Sequence, residues 1–371
     1  MGYNIDVKKA IANRGNLYRM KELMKRARNG EKLTIGFLGG SITQGSLSST
    51  PETCYAYLVF DWWRKQFPEA EFTYINAGIG GTTSQFGVAR VQSDLLNYEP
   101  DFTIVEYSVN DDNNEHFLET YEGLVRKIYM DKNEPAMLIV HNVRYNDGGN
   151  AEDQHVKIGK AYQIPCVSMK SSIYPEIEKG VIKNREITPD DLHPNDAGHA
   201  LVASIITNFL ENVYTEIEEK EEKVGELISP ITLNTYQNSV RYQNTCTNYK
   251  SNGFEGDSSK QEVITDCFKN GWTSMNQGDS ITFEIEGSGI SVQFRKSIHK
   301  PTPIALAIVD DDMEHAVRLD GNFDEDWGDC LYLQTVVEHA EKKVHKVEIR
   351  LIETHENDVV PFYLVSVIGT W

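Results

Sequence analysis

The stretch LTIGFLGGSITQGS at residues 33–46 sets the fold. It reads as an apolar run of strand length that stops at two glycines and hands over to a serine. Similar runs recur downstream, as EFTYINAG at 71–78, DFTIVEYS at 101–108, PAMLIVHN at 135–142 and IPCVSM at 164–169. Between them lie amphipathic stretches near 53–67, 84–97, 115–130 and 150–162, opened by a leading helix at about 6–29 and closed by one at about 196–222. Regular alternation of strand and helix predicts an α/β domain built on an open parallel sheet, with helices covering both faces.

The texture changes after Gly225. Short β-rich runs follow one another, as SITFEIEG at 280–287, GISVQFRK at 289–296, PIALAIVD at 303–310, LYLQTVVE at 331–338, VHKVEIRLIE at 344–353 and FYLVSVIGT at 362–370. Strands at this spacing, separated by Gly and Asp turns, predict an all-β sandwich or jelly roll. The charged run TEIEEKEEK at 215–223 reads as a solvated helix end passing into a linker, which divides the chain into domains 1–222 and 223–371.

Composition agrees with two such domains. The 371 residues carry 36 Lys+Arg against 56 Asp+Glu, a net charge of −20. A surface of that sign repels nucleic-acid phosphates and anionic lipid head groups, so neither is an expected partner. Five widely spaced cysteines without a C-x-x-C pair give neither a disulfide framework nor a zinc knuckle. The opening MGYNIDVKKA lacks an apolar signal region, so a cytoplasmic location is expected.

Three strand ends in succession carry small or polar residues: Ser41 after GFLGG, Gly81 in INAGIGGTTS, and Asn110 in EYSVNDDN. Carboxyl ends of parallel strands are where ligands of such sheets bind. Each residue also has a plainer reading. Gly-Gly-Ser after a strand is open to a helix cap, Gly81 to a tight turn and Asn110 to a cap on the next helix. A nucleotide loop is disfavoured because G-x-x-x-x-G-K-[ST] is absent. Acyl transfer needs donors aimed at a developing oxyanion, and a glycine N–H with an asparagine amide supplies them.

Later, in ITPDDLHPNDAGHALVASI, Asp190 and His193 stand three apart ahead of a helix. A serine nucleophile needs an imidazole to take its proton and a carboxylate to fix the imidazole. Asp191 competes with Asp190, but its spacing of two from His193 suits the ring less well. His199 reads as a packing or capping residue. His116, His141 and His155 stand alone, with no metal-ligand spacing. The chemistry calls for neither metal nor cofactor.

In this order the blocks resemble those of the SGNH (or GDSL) hydrolases, over roughly residues 30–215. GGSIT matches the first block with Ser41, NAGIGGTTS the second with Gly81, YSVND the third with Asn110, and DDLHP the last with Asp190 and His193. The resemblance implies the three-layer α/β/α SGNH fold. It also implies a Ser41–His193–Asp190 triad, and an oxyanion hole from the Ser41 and Gly81 N–H groups with the Asn110 amide. One departure stands out: the usual Gly-Asp-Ser reads Gly39-Gly40-Ser41. With a β-sandwich behind it, the chain resembles carbohydrate esterase family 17. That resemblance implies cytoplasmic removal of O-acetyl groups, at O2 of mannose, from acetylated manno-oligosaccharides, and a C-terminal module similar to carbohydrate-binding family 35. The alternatives are an acetylxylan esterase or a short-chain acyl or lipid esterase.

In the second domain, LDGNFDEDWGDC at 319–330 places Trp327 beside Asp326 on an acidic loop. The indole either tucks under a hairpin or offers its face to a pyranose, while a neighbouring carboxylate accepts sugar hydroxyls. Trp272 reads as core, and Asp310 to Asp312 as a hairpin turn. Trp62 and Trp63 belong to the core or to a homo-oligomer interface.

Overall fold

The computed structural model describes residues 5–225 and 228–371. The chain divides into two compact units, one running to Asn234 and the other from Thr235 to Trp371. The first holds a six-stranded sheet of β1 (Ile11–Asn13), β2 (Lys32–Gly39), β3 (Glu71–Gly78), β4 (Phe102–Glu106), β5 (Ala136–His141) and β6 (Cys166–Ser168). Their order is β1-β6-β5-β4-β2-β3, with β2 to β6 parallel and β1 antiparallel to β6. The chain leaves β2 for β3 on one side and returns to β4 on the other. The winding therefore reverses between β2 and β4, and crevices open at such a reversal.

The helices are α1 (Tyr18–Arg28), α2 (Ser41–Gln44), α3 (Tyr55–Gln66), α4 (Ser84–Asp94), α5 (Glu115–Tyr129), α6 (Glu152–Ala161), α7 (Tyr174–Glu178), α8 (Asn184–Ile187) and α9 (Asp196–Thr215). Successive strand residues face opposite layers. Ile35, Phe37, Ile104, Leu138 and Val140 join one core with Met24 of α1, Trp63 of α3 and Ile206 of α9. On the other face Leu95, just past α4, lies over Gly36, and Gly159 of α6 packs against Cys166 and Ile139. Local signals set the helix starts, as Asn114 accepts from the Phe117 N–H at 3.0 Å and Asn195 from the Gly198 N–H at 3.1 Å.

Two expectations are corrected. The leading helix over 6–29 is broken: a 3₁₀ turn at Val7–Ala10 and strand β1 precede α1. Gly15 sits at φ +59° with its Cβ position 2.6 Å from the main chain of Gln163 to Pro165, an approach that no other residue permits. The first unit also extends past residue 222. Glu216 and Glu221 pair with Arg14 at 2.9 and 3.3 Å, and Glu221 with Lys21 at 3.2 Å, so the acidic run folds back on α1. Farther on, Glu122 of α5 accepts the Ile231 and Thr232 N–H groups, both at 2.8 Å.

The second unit is a sandwich of antiparallel sheets. Its strands are β7 (Val240–Tyr242), β8 (Tyr249–Asn252), β9 (Glu255–Gly256), β10 (Trp272–Ser274), β11 (Ser280–Gly287), β12 (Gly289–Lys296), β13 (Ile304–Val309), β14 (Val317–Asp320), β15 (Cys330–Val337), β16 (Lys343–Glu353) and β17 (Phe362–Thr370). One sheet runs β15-β12-β17-β10-β9 with β7 also on β17, the other β14-β13-β16-β11-β8. Trp272, Phe283, Phe294, Val347 and Leu364 share the core between them. Asp310 and Asp311 make the turn after β13 at φ 54° and 62°. Trp63 is fully buried, and Trp62 packs at the margin of the same core with its indole N–H 3.3 Å from Glu211.

Candidate active site

Ser41 opens α2 directly beyond the carboxyl end of β2 and is 8% exposed, a recessed hydroxyl rather than a surface one. Its Oγ lies 2.8 Å from His193 Nε2, and His193 Nδ1 lies 2.6 Å from Asp190 Oδ2. A loop ahead of α9 carries both partners. The other Asp190 oxygen accepts the Leu192 and His193 backbone N–H groups at 3.0 and 2.7 Å. Burial works to raise the Asp190 pKa, but these bonds and the His193 ring outweigh it and hold the carboxyl below its ordinary value.

Asp191 is excluded by the backbone. At φ +69° its side chain turns away from His193, reaching Arg185 at 2.7 Å and the Asn184 amide. The competition between the two aspartates resolves to Asp190.

Gly81, just past β3, adopts φ +68°, and its N–H has no hydrogen-bond partner among the described residues. Asn110 follows β4, where its own N–H and that of Asp111 both bond the Tyr107 carbonyl, at 3.0 and 2.9 Å. A Cβ at Gly40 would stand 2.4 Å from Asn110 Oδ1. The Gly39-Gly40-Ser41 departure has a local physical consequence: with glycine at position 40 the Asn110 carboxamide lies against the turn that carries Ser41, and a β-carbon there would push it aside. Ser41, Gly81 and Asn110 thus come from three strand ends to the reversal of the sheet. Among the described residues no group of three or more His, Cys, Asp and Glu side chains is arranged to hold a metal ion. A cavity of about 480 Å³ lined by Tyr18, Arg19 and Tyr129 contains none of these residues.

The sequence matches the GDSL-like lipase/acylhydrolase family over residues 37–201. Among solved structures, a two-domain esterase active on acetylated mannans, co-crystallised with mannopentaose, is 64% identical over 99% of this chain and 98% of its own, with a TM-score of 0.96. The chain is a GDSL-like hydrolase. A second crystal structure of a two-domain esterase active on acetylated mannans matches at the same 64% identity with a TM-score of 0.97, over 99% of each chain. The thioesterase 1/protease 1/lysophospholipase L1 of Escherichia coli K12 is 25% identical over 179 residues, 46% of this chain and 79% of that protein. Its family makes this GDSL-like hydrolase a carboxylic ester hydrolase.

Beneath the hydrolase site lies a buried polar layer that sequence reading missed. Arg90, 0% exposed, donates to the Gly39 carbonyl at 3.1 Å and the Tyr107 hydroxyl at 3.0 Å, bracing the ends of β2 and β4. His155 does not stand alone: its Nε2 lies 3.0 Å from Asp111, which also accepts the Ser84 N–H at 2.9 Å and ties α4 to the Asn110 turn. His116 lies 3.3 Å from Gln85 Oε1. His141 is fully buried and kept neutral by that burial, with no partner for either ring nitrogen among the described residues. His199 is a structural residue whose Nδ1 accepts the Tyr55 N–H and whose Nε2 faces the Ser46 carbonyl, both at 3.2 Å. No local spacing announces these pairs, because partners such as Asp111 and His155 lie 44 residues apart.

In the second unit Trp327 is 55% exposed and edge-on to Phe323 at 5.0 Å, with its N–H donated to Glu325. The ring is not tucked under a hairpin. Asp326 is exposed beside it, whereas Asp324 pairs with Lys300 at 2.9 Å and Asp329 accepts the Ser297 hydroxyl at 2.7 Å.

Proposed function

We propose that the protein removes O-acetyl groups from β-mannan oligosaccharides, at O2 of mannose, through an acetyl-serine intermediate. The observation that carries this reading is the 64% identity, across both units, with a two-domain esterase active on acetylated mannans. The Ser41–His193–Asp190 line supplies the chemistry. His193 Nε2 takes the Ser41 proton as Oγ bonds to the acetyl carbonyl carbon. The oxyanion accepts from the Ser41 and Gly81 N–H groups and the Asn110 amide. On collapse the ester C–O bond breaks, and the sugar oxygen leaves with the proton from His193. Water then loses a proton to His193 as it attacks the acetyl-serine carbonyl; the bond to Ser41 Oγ breaks, His193 returns the proton to Oγ, and acetate leaves. Asp190, held ionised by its hydrogen bonds, supports the imidazolium in both halves.

In this reading the second unit is a carbohydrate-binding module. Trp327 and Asp326 contact the sugar: the exposed indole offers a flat apolar face to a pyranose ring, and the adjacent carboxylate accepts hydroxyl bonds. The reaction is assigned to the cytoplasm, a reducing compartment suited to the buried thiols Cys54, Cys166 and Cys330.

The test is product-resolved NMR of acetylated mannan and xylan oligosaccharides, with wild type and Ser41→Ala. Loss of mannosyl 2-O-acetyl signals with wild type alone is expected. Deacetylation of xylan only, or by Ser41→Ala equally well, overturns the substrate or the nucleophile respectively. Trp327→Ala is expected to reduce turnover of acetylated oligosaccharide far more than that of a small aryl acetate; equal losses refute a sugar contact.

A further inference from the structure

The turn that presents Gly81 is fastened one N–H at a time. Gly78 N–H donates to Asn76 Oδ1 at 2.9 Å, Ile79 N–H to the Gly39 carbonyl at 3.1 Å, and Gly80 N–H to Gln44 Oε1 at 2.7 Å. The next N–H in the series, that of Gly81, has no acceptor among the described residues. Of the three fastenings, the first is internal to the β3 end and the second is main chain to main chain. Only the third uses a side chain from α2, the single turn of helix that Ser41 begins and Gln44 ends.

Gln44 is well placed for this. A Cβ at Gly78 would stand 2.2 Å from the Gln44 nitrogen, so α2 and the end of β3 are in direct main-chain contact. Asn76 adds a second tie by donating to the Thr43 carbonyl at 2.8 Å. Gln44 itself is exposed, so core packing does not account for its orientation. Gly80 needs an acceptor, and that need fixes which end of the carboxamide faces it. The Gly80 and Gly81 N–H groups lie on successive peptide planes that meet at the Gly80 Cα, so loosening the first frees the Gly80 dihedrals that aim the second.

Taking Gly81 as an oxyanion donor, as in the function proposed above, we propose that Gln44 is the positioning residue of the oxyanion hole. It couples the helix that carries the nucleophile to the turn that carries the second donor, so that the two move as one body. Donors in such holes act by being fixed in advance, and displacement of about 1 Å is enough to lose much of their effect.

The experiment compares Gln44→Met, of equal length but without an acceptor, with wild type, Gln44→Ala and Ser41→Ala on an aryl acetate. It also measures inhibition by a boronic acid that forms a tetrahedral adduct on Ser41. Removing a donor outright lowers the rate by about 10²–10³, so loosening one should lower kcat about tenfold while KM stays within about twofold. Boronate affinity should fall in parallel with kcat, and the melting temperature should hold. Unchanged kcat and boronate affinity in both Gln44 variants would overturn the inference, as would a rise in KM at constant kcat, which marks a substrate contact instead. Retained activity in Ser41→Ala would instead remove the function reading on which the inference rests. Should one Gln44 variant melt early, the other decides.

Discussion

Glu106 ends β4 with no exposed surface, four residues before Asn110. One carboxyl oxygen accepts the Ser108 N–H and hydroxyl at 3.1 and 3.0 Å; the other has no partner among the described residues. Burial raises its pKa, the Ser108 bonds oppose this, and the balance moves it from 4.5 to about 7. Between those two values the folded protein holds a proton that the unfolded chain has released. Stability therefore falls as pH rises through this window and levels off above it. At about 1.4 kcal/mol per pH unit the loss amounts to about 3 kcal/mol. Glu106→Gln cannot titrate, so its stability relative to wild type should improve by that amount between pH 4.5 and 8. Any fixed penalty from the new amide cancels in the comparison, as does the opposite slope from buried His141, which both proteins share. Urea unfolding followed by peptide-resolved hydrogen exchange isolates the first unit through the amides of β2 and β4. Parallel pH–stability curves for the two proteins would refute the reasoning.

The remaining predictions separate neighbours. Asp190→Asn should lower kcat on an aryl acetate by about 10⁴, by analogy with the loss of a triad carboxylate elsewhere. Asp191→Asn should leave kcat within about threefold, since asparagine tolerates the left-handed backbone and only the half-exposed Arg185 pair is lost. Equal losses in that assay would contradict the assignment of Asp190. Gly40→Ala should lower kcat by about 10–10² because its methyl group must displace Asn110 Oδ1, 2.4 Å from the Cβ position. A fully active Gly40→Ala enzyme would show that Asn110 is not a donor from where it stands.

Elements whose signal lies within one segment were legible in the sequence. Strands at 71–78, 280–287, 289–296 and 362–370 have the boundaries their apolar runs suggest, because half-buried or buried strands of eight or nine residues declare themselves. β8, with the sequence YKSN and exposed throughout, and the two-residue β9 carry no such pattern and exist only through their partners. β1 was concealed for the same reason: Ile11 pairs with Val167 from the far end of the domain, and that pairing overrides the local helical spacing. At the site, Ser41, Asp190 and His193 were readable because serine hydrolysis demands those three residue types and two of them stand three apart. The bracing of the site by Arg90, Asp111 and His155 was not, since a buried hydrogen bond between distant residues needs only proximity in space.

The glycines explain why these residues meet at all. Side chains at Gly39, Gly40 and Gly78 would strike Thr43 at 2.2 Å, Asn110 at 2.4 Å and Gln44 at 2.2 Å respectively. Each clash joins a different pair among the ends of β2, β3 and β4 and the helix α2. The absence of three β-carbons lets these segments approach more closely than ordinary packing allows, and Ser41, Gly81 and Asn110 sit on or directly beyond them. Main-chain polar groups at these ends are held from below by Arg90 on the Gly39 carbonyl and from the side by Gln44 on the Gly80 N–H. The Gly-Gly ahead of Ser41 is therefore a packing feature of this particular site, with Asn110 lying against position 40 and Thr43 against position 39.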